Sequence, residues 1–284
     1  MIKTPLSTVI GGAFWTPGAT VINGAKLSFE IVMKKLFANG EQGFWYDPND
    51  MGTMYQDAAG TVPVTAVGQA VGLVKDKSGR GNHARQTTSA ARPILRQNAI
   101  TKAYYLEFDG SDDFFATNSI DFTATDEVSL LCGLRKLSDA SRASVIELSS
   151  LGGGSNGSFG LDAPRLLDPI ASYSVVSRGT LVNVSRTGAQ QYPAPNSAVI
   201  SAKCSISTNT NKLVVNGSTF ISSESQGTGN YGNYPLYIGR RGGVSLPFNG
   251  HIYGLIGIGK LASDSETTAI EKELAKRTGV TLNV

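Results

Sequence analysis

From Ala103 onward the chain alternates short apolar or alternating runs with glycine, asparagine and serine turns: YYLEFDG, EVSLLCGLRKL, ASVIELSS, GSFGLDA, SYSVVSR, SAVISAKCSIS, NKLVVNGST, YPLYIGRR and FNGHIYGLIGIGKL. Runs of this length and period read as strands, about nine of them, and describe an all-β chain. Asn216-Gly217, between KLVV and STFIS, carries the clearest turn signal, because a type I′ hairpin needs positive φ at both central positions. The period changes in SDSETTAIEKELAKRTG. There Ser263 or Asp264 can cap a helix, acidic residues fill its first turn, Ile270 and Leu274 share the face toward the sheet, and Gly279 ends it. The pattern predicts an antiparallel two-sheet sandwich with one short C-terminal helix.

Residues 1–39 read differently. TPLSTVIGGAFWTPGATVINGAKL is broken by proline and glycine into short extended pieces. LSFEIVMKKLFANG, with Leu27, Ile31 and Leu36, suits either a short helix stopped by Asn39-Gly40 or a strand. A chain start that carries Phe14 and Trp15 but no pattern for its own core reads as an arm that docks elsewhere, or as a strand packed on its own domain. Residues 40–96 are loop-rich, and Asp76–Asn82 (DKSGRGN) forms a tight turn. Within GEQGFWYDPNDMGTMYQD the aromatics serve either as a sugar platform or as a core plug. On a strand, Phe44 and Tyr46 share one face and Trp45 takes the other. The reading assigns Phe44 and Tyr46 to the core and leaves Trp45 with Tyr55 as outer surface.

Composition narrows the partners. The 284 residues carry a net charge of +3 with no cluster of Lys or Arg, which argues against a nucleic-acid footprint. No apolar run reaches the roughly 18 residues of a membrane span, so no membrane insertion is expected. The start lacks the charged and apolar segments of a signal peptide, and synthesis inside a cell without one is the expectation. Cys132 and Cys204 lie far apart in apolar stretches, which points to two buried reduced thiols.

The ordered series DKSGRGNHA, YLEFDGSDDFF, LYIGRRGG and FNGHIYGLIGI, then a helix led by Ser-Asp, resembles the laminin-G-like, concanavalin-A-like jelly-roll family over roughly residues 43–284. More narrowly, LFANGEQGFWYDPNDMGTMYQDAAGTVPVTAVGQAVGLVKDKSGRGNHARQTTSAARP resembles the opening of proteins encoded by tailed bacteriophages and prophages in their structural gene blocks. That resemblance implies a non-enzymatic virion protein, made in the bacterial host cytoplasm. Its residues 1–39 would dock on other virion proteins of capsid or tail, with Phe14 and Trp15 as contacts, and residues 40–284 would form the projecting jelly roll. Two roles follow: decoration of the capsid or tail surface, and tail-associated attachment to host-surface polysaccharide. Virion symmetry makes a homotrimer plausible.

A fold of this kind does not fix function, so each candidate site is weighed by itself. Asp109, Asp112 and Asp113 bring three carboxylates to one strand end. The resemblance implies a calcium there, with further ligands from the turn holding Asp76 and Asn82. However, Tyr253-Gly254 stands where metal-binding relatives carry acidic residues, and a hydrogen-bonded turn is the favoured reading, with Asp112 or Asp113 bonding backbone amides. No other cofactor is called for. Glu107 and Glu147 are the carboxylates weighed for glycoside hydrolysis, which needs two of them facing each other. No Glu-x-Asp-x-x-Glu strand is present. His83 and His251 have no Cys or carboxylate at metal or triad spacing, and LGGGSNGSFG lacks the lysine and helix of a phosphate cradle. Arg240 and Arg241 are candidate contacts for an acidic partner or a polysaccharide carboxylate. Tyr231, Tyr234 and Tyr237 recur at three-residue spacing as recognition side chains, or as latches on the sandwich edge.

Overall fold

The computed structural model describes residues 29–150, 155–167, 170–188 and 191–283, together with two short strands, Thr8–Ile10 and Ala13–Trp15. Those two strands pair with each other, Thr8 opposite Trp15. The side chains of Phe14 and Trp15, expected to dock, lie outside the described residues.

Two antiparallel sheets form the body. One has eight strands and runs through Ser218–Ser222, Thr210–Val215, Asn196–Ser205, Glu127–Lys136, Asn249–Ile258, Tyr104–Asp109 and Ile94–Gln97, with Gly43–Tyr46 also paired to Asn249–Ile258. The other has nine and runs through Val182–Arg186, Ile170–Arg178, Phe159–Leu167, Ser144–Leu148, Asn233–Ile238, Phe115–Asp121, Ala84–Arg85, Leu73–Val74 and Met54–Tyr55. Side chains such as Phe44, Phe108, Phe115, Phe159, Tyr173 and Leu236 fill the space between the sheets. Each contributes about 1.5–3 kcal/mol by leaving water. This is the sandwich that the strand pattern predicts.

A second core lies on the outer side of the eight-stranded sheet. It is roofed by α1 (Phe29–Leu36) and α2 (Asp264–Thr278). In α2 the expected caps are present: Ser263 and Glu266 form a reciprocal capping box, Gly279 takes φ 75°, and Ile270 and Leu274 are fully buried. In α1 the buried stripe is Val32, Met33 and Leu36, while Ile31 points outward. The boundary at residue 39 is therefore drawn too late, because residues 29–37 pack as part of the sandwich. Arg277 ties α2 to the strand beneath, donating to both Asp47 oxygens at 2.7 and 3.3 Å.

Asn216 and Gly217 take φ 53° and 90°, the values a type I′ turn requires. Cys132 and Cys204 are buried free thiols, and burial pushes the Cys204 thiol up to about 12. Among the described residues, no helix is long and apolar enough to cross a membrane.

Candidate functional site

Among the described residues neither helix covers the outer side of the nine-stranded sheet, and strand alternation decides what that side displays. Ile146 and Leu148 enter the core, so Glu147 faces out; Phe159 and Leu161 do the same for Gly160 and Asp162, and Tyr173 and Val175 for Ser174. Strand register then sets Val184, Val176, Gly160, Glu147, Tyr237, Ala116, Arg85, Leu73 and Tyr55 in a single row across all nine strands.

Glu147 sits at the centre of that row. Its Oε2 accepts from Arg241 Nε at 2.6 Å, and its Oε1 accepts from the Ser149 hydroxyl at 2.6 Å. The turn after Asn233–Ile238 aims Arg241, closed by Arg241 N donating to Ser245 O and Ser245 N donating back to Arg241 O. One step along the neighbouring strand, Asp162 Oδ2 accepts from Arg142 Nη2 at 2.7 Å and Nε at 3.1 Å, with Arg165 Nη1 at 3.7 Å. An irregularity at Ala163-Pro164 shifts the register so that Arg165 falls opposite Ser172. Both carboxylates are buried, and burial raises the pKa of Asp162 while the adjacent arginines oppose it. A cleft of about 30 Å³ opens among Glu147, Gly160, Asp162, Val176, Arg178 and Arg241. A water occupies about 10–15 Å³ by this measure, so the cleft admits a group of two or three heavy atoms rather than a ring.

The sequence-predicted residues divide. Arg241 and Tyr55 lie on this face; Tyr55 is half-buried, with Lys75 Nζ donating to its hydroxyl at 2.8 Å. Arg240 donates to Val244 O at 3.2 Å. Trp45 does take the opposite face from Phe44 and Tyr46, but it is no outer surface. It is 3% exposed beneath α1, with Phe29 edge-on at 5.7 Å and Lys77 Nζ 4.3 Å above its ring. Tyr231 is a core residue as well, 1% exposed, edge-on to Phe159 at 5.3 Å and hydrogen-bonded to Ser177. Tyr234 ties its strand to the loop before Phe159–Leu167, donating to Asn156 O at 3.0 Å. Of the three tyrosines, Tyr237 alone sits in the outward row.

Asp109, Asp112 and Asp113 do converge, their oxygens within 4.8 Å of one another. They serve a turn: Asp113 accepts from Asp109 N, and Asp109 accepts from Ser111 N and Asp112 N, so Asp113 makes the expected backbone bond and Asp109 the others. The implied partners Asp76 and Asn82 are elsewhere. Asn249 lies opposite Asp109 and Ile256 opposite Trp45, and Trp45 N donates to Asp76. Seven residues of strand separate the two groups, about 23 Å. Asp76 is also consumed locally, accepting from Trp45 N, Ser78 N, Ser78 Oγ and Asn82 N. Without Asp76 and Asn82, backbone carbonyls and water would have to supply the rest of the six to eight oxygen ligands that calcium takes.

The Glu107 and Glu147 pair is also dissolved, since Glu107 lies on the other sheet beside Arg96. His83 accepts from Asp76 N through Nδ1. His251 stacks on Tyr105 at 4.1 Å, and burial lowers it to about 4. The residue that sequence reasoning missed is Asp162, with Arg142 and Arg165. Its signal is FGLDAPRLL, where one Asp and one Arg interrupt an otherwise apolar strand.

This architecture is that of a jelly-roll β-sandwich. No protein-family model and no curated protein sequence matches it. Among solved structures it is similar to the binding domain of botulinum neurotoxin serotype D (TM-score 0.54, 11% identity, 85% of this chain and 52% of that one). It is also similar to a structure of botulinum neurotoxin type C described by its interaction with two ganglioside molecules (TM-score 0.54, 9% identity, 85% and 53%). A third is a GH54 α-L-arabinofuranosidase mutant soaked with a nitrophenyl arabinofuranoside (TM-score 0.53, 12% identity, 74% and 51%). The chain spans about half the length of each, and at such identity the likeness is one of fold.

Proposed function

We propose that the chain is a non-enzymatic, carbohydrate-binding domain of a tailed-bacteriophage virion, which attaches to host-surface glycan through the outer face of its nine-stranded sheet. The observation that carries this reading is the row centred on Glu147 and Tyr237, which neither described helix covers, with Arg241 held beside it. Carboxylate and guanidinium groups fixed by one another offer oriented acceptors and donors to hydroxyls, and Tyr237 supplies a ring. The fold's likeness to neurotoxin binding domains, one of them solved with N-acetylneuraminic acid, supports a glycan ligand.

The non-enzymatic reading rests on the state of the two carboxylates. Glycoside hydrolysis needs one carboxyl ready to donate a proton and another free to attack or to activate water. Glu147 and Asp162 share the face, yet each is engaged by arginine. The virion setting rests on the resemblance of residues 36–93 to phage structural proteins; it implies other virion proteins as partners, location on the particle, and no cofactor. Surface decoration is the second reading. It is favoured by a groove of about 750 Å³ between α1 and α2, where Phe29, Val32 and Ala269 lie among Lys35, Lys272 and Glu273.

The test is a glycan array probed with the whole chain beside its Tyr237→Ala and Arg241→Ala variants. Binding that both variants weaken about tenfold or more supports the reading. A chain that binds no glycan, yet is found in hundreds of copies over phage heads, replaces it with decoration.

A further inference from the structure

We infer that this face recognises an acidic saccharide, and that the sugar carboxylate is what the arginines around Asp162 hold. The inference rests on the glycan-binding reading above and adds the ligand's chemical class. Arg142, Arg165, Arg178, Arg186 and Arg241 gather on or beside one patch. Arg142 and Arg165 reach Asp162, Arg241 reaches Glu147, Arg178 lines the same cleft, and Arg186 lies opposite Ser174 on the adjoining strand. Among the described residues, Glu147 and Asp162 are the two carboxylates bonded within this group, so guanidiniums outnumber their counter-charges.

The consequence of that excess is visible on Arg165. Burial pushes its pKa below the ordinary arginine value, Asp162 opposes, and the neighbouring charges of Arg142, Arg186 and Arg241 push it down further. An anion entering here relieves repulsion already built into the fold. The guanidiniums are also pre-oriented: Asp162 and Glu147 fix Arg142 and Arg241 through some of their donors, and a guanidinium has five. Arg178 and Arg241 line the cleft beside Glu147 and Asp162, with Arg142 and Arg165 reaching Asp162 from outside its wall, and it admits two or three heavy atoms, the size of a carboxylate. A second, independent sign is Ser174. Its hydroxyl is fully buried, sits between Asp162 and Arg186 in the register, and has no hydrogen-bond partner. Buried hydroxyls ordinarily find partners, so this one is an unused donor beside Asp162, next to the cleft rather than in its wall.

The chemistry selects a carboxylate over a neutral sugar, because paired N–H donors match its two oxygens and the charge strengthens each bond. Sulfated sugars offer the same charge in a tetrahedral group, which the test separates. Calorimetric titration would compare galacturonate oligosaccharides, the matching galactose oligosaccharides and a sulfated galactan fragment, each at low salt and at 0.5 M salt. The expected result is about tenfold tighter binding of the galacturonate series than of the galactose series, an advantage that shrinks in high salt.

Arg165→Gln should abolish that advantage. Because removing Arg165 also disturbs Asp162, Ser174→Ala is the companion variant. It deletes an unpartnered hydroxyl, should leave the melting temperature unchanged, and should weaken galacturonate binding about threefold. Equal binding of acidic and neutral oligosaccharides overturns the inference while the glycan reading stands. Failure to bind any of the three overturns the inference, and the glycan array then decides whether the glycan reading stands. Sulfated fragments binding as tightly as galacturonate overturn the assignment to a carboxylate.

Discussion

The two outer faces of the sandwich are built on the same backbone and have opposite fates. On the eight-stranded sheet, Trp45, Leu131, Val199, Ile256 and Ile258 point outward and are sealed beneath α1 and α2. Gly133 and Gly254 sit where Leu274 of α2 comes down, so that a Cβ on either would stand 3.0–3.3 Å from its Cδ2. On the nine-stranded sheet the equivalent positions are Glu147, Gly160, Asp162 and Ser174, and neither described helix crosses them. A face that displays apolar groups must be covered to stay folded. A face that displays paired charges can stay open to a ligand.

The sharpest way to break this comparison is to remove the roof. Deleting residues 1–39 strips Val32, Met33, Leu36 and Phe37 from the second core. At about 1.5–3 kcal/mol each, that loss rivals the whole stability of an ordinary domain. The truncated chain is expected to be insoluble or to melt far lower, whereas deletion of residues 1–28 should leave the thermal transition in place. If both truncations melt alike, α1 contributes no cover and the first boundary was right.

A smaller cut tests the same contrast residue by residue. Trp45→Ala empties a buried site under α1 and should cost about 3–5 kcal/mol in urea unfolding. Tyr237→Ala, on the open face, should cost under about 1 kcal/mol. Similar costs for the two would mean that the faces are not covered differently.

Much of this contrast was legible in the sequence. EVSLLCGLRK is almost continuously apolar, as a strand covered on both sides must be, and Glu127–Lys136 is buried along nearly its whole length. The terminal helix, its caps and the Asn216-Gly217 turn carry local chemistry that needs no tertiary information, and they appear where expected. The four short strands between residues 54 and 97 were not legible, because two to four residues cannot display a period. Trp45 was placed on the correct side of its strand and still misjudged, since a sequence shows alternation but not what folds over it. Tyr231 failed similarly: its neighbours Gly229 and Gly232 suggested an exposed loop, yet Phe159 and Ser177 receive it. Asp162 finds its arginines 20 residues upstream and three downstream, and only the strand register reveals that they meet.

The last contrast lies between two buried carboxyls, and it sets the smallest effect. Burial raises the pKa of both Asp162 and Asp113. Arginines oppose the shift at Asp162, whereas at Asp113 the like charges of Asp109, Asp112 and Glu107 add to it, and a backbone hydrogen bond from Asp109 only partly offsets them. Asp113 is brought to about 6. Between the ordinary carboxylate value of about 4 and about 6, the native chain keeps a proton that the unfolded chain has released. This contribution to stability is therefore complete below about pH 4 and is lost as the pH rises through 6. With solvent screening at a half-open turn, the effect is on the order of 1 kcal/mol. Asp113→Asn should flatten the fall in stability between pH 4 and 6, measured as urea midpoints at half-unit steps, and should leave the variant at least as stable as the parent at pH 7. A variant that keeps the parent's slope would place the proton on another carboxyl of the turn.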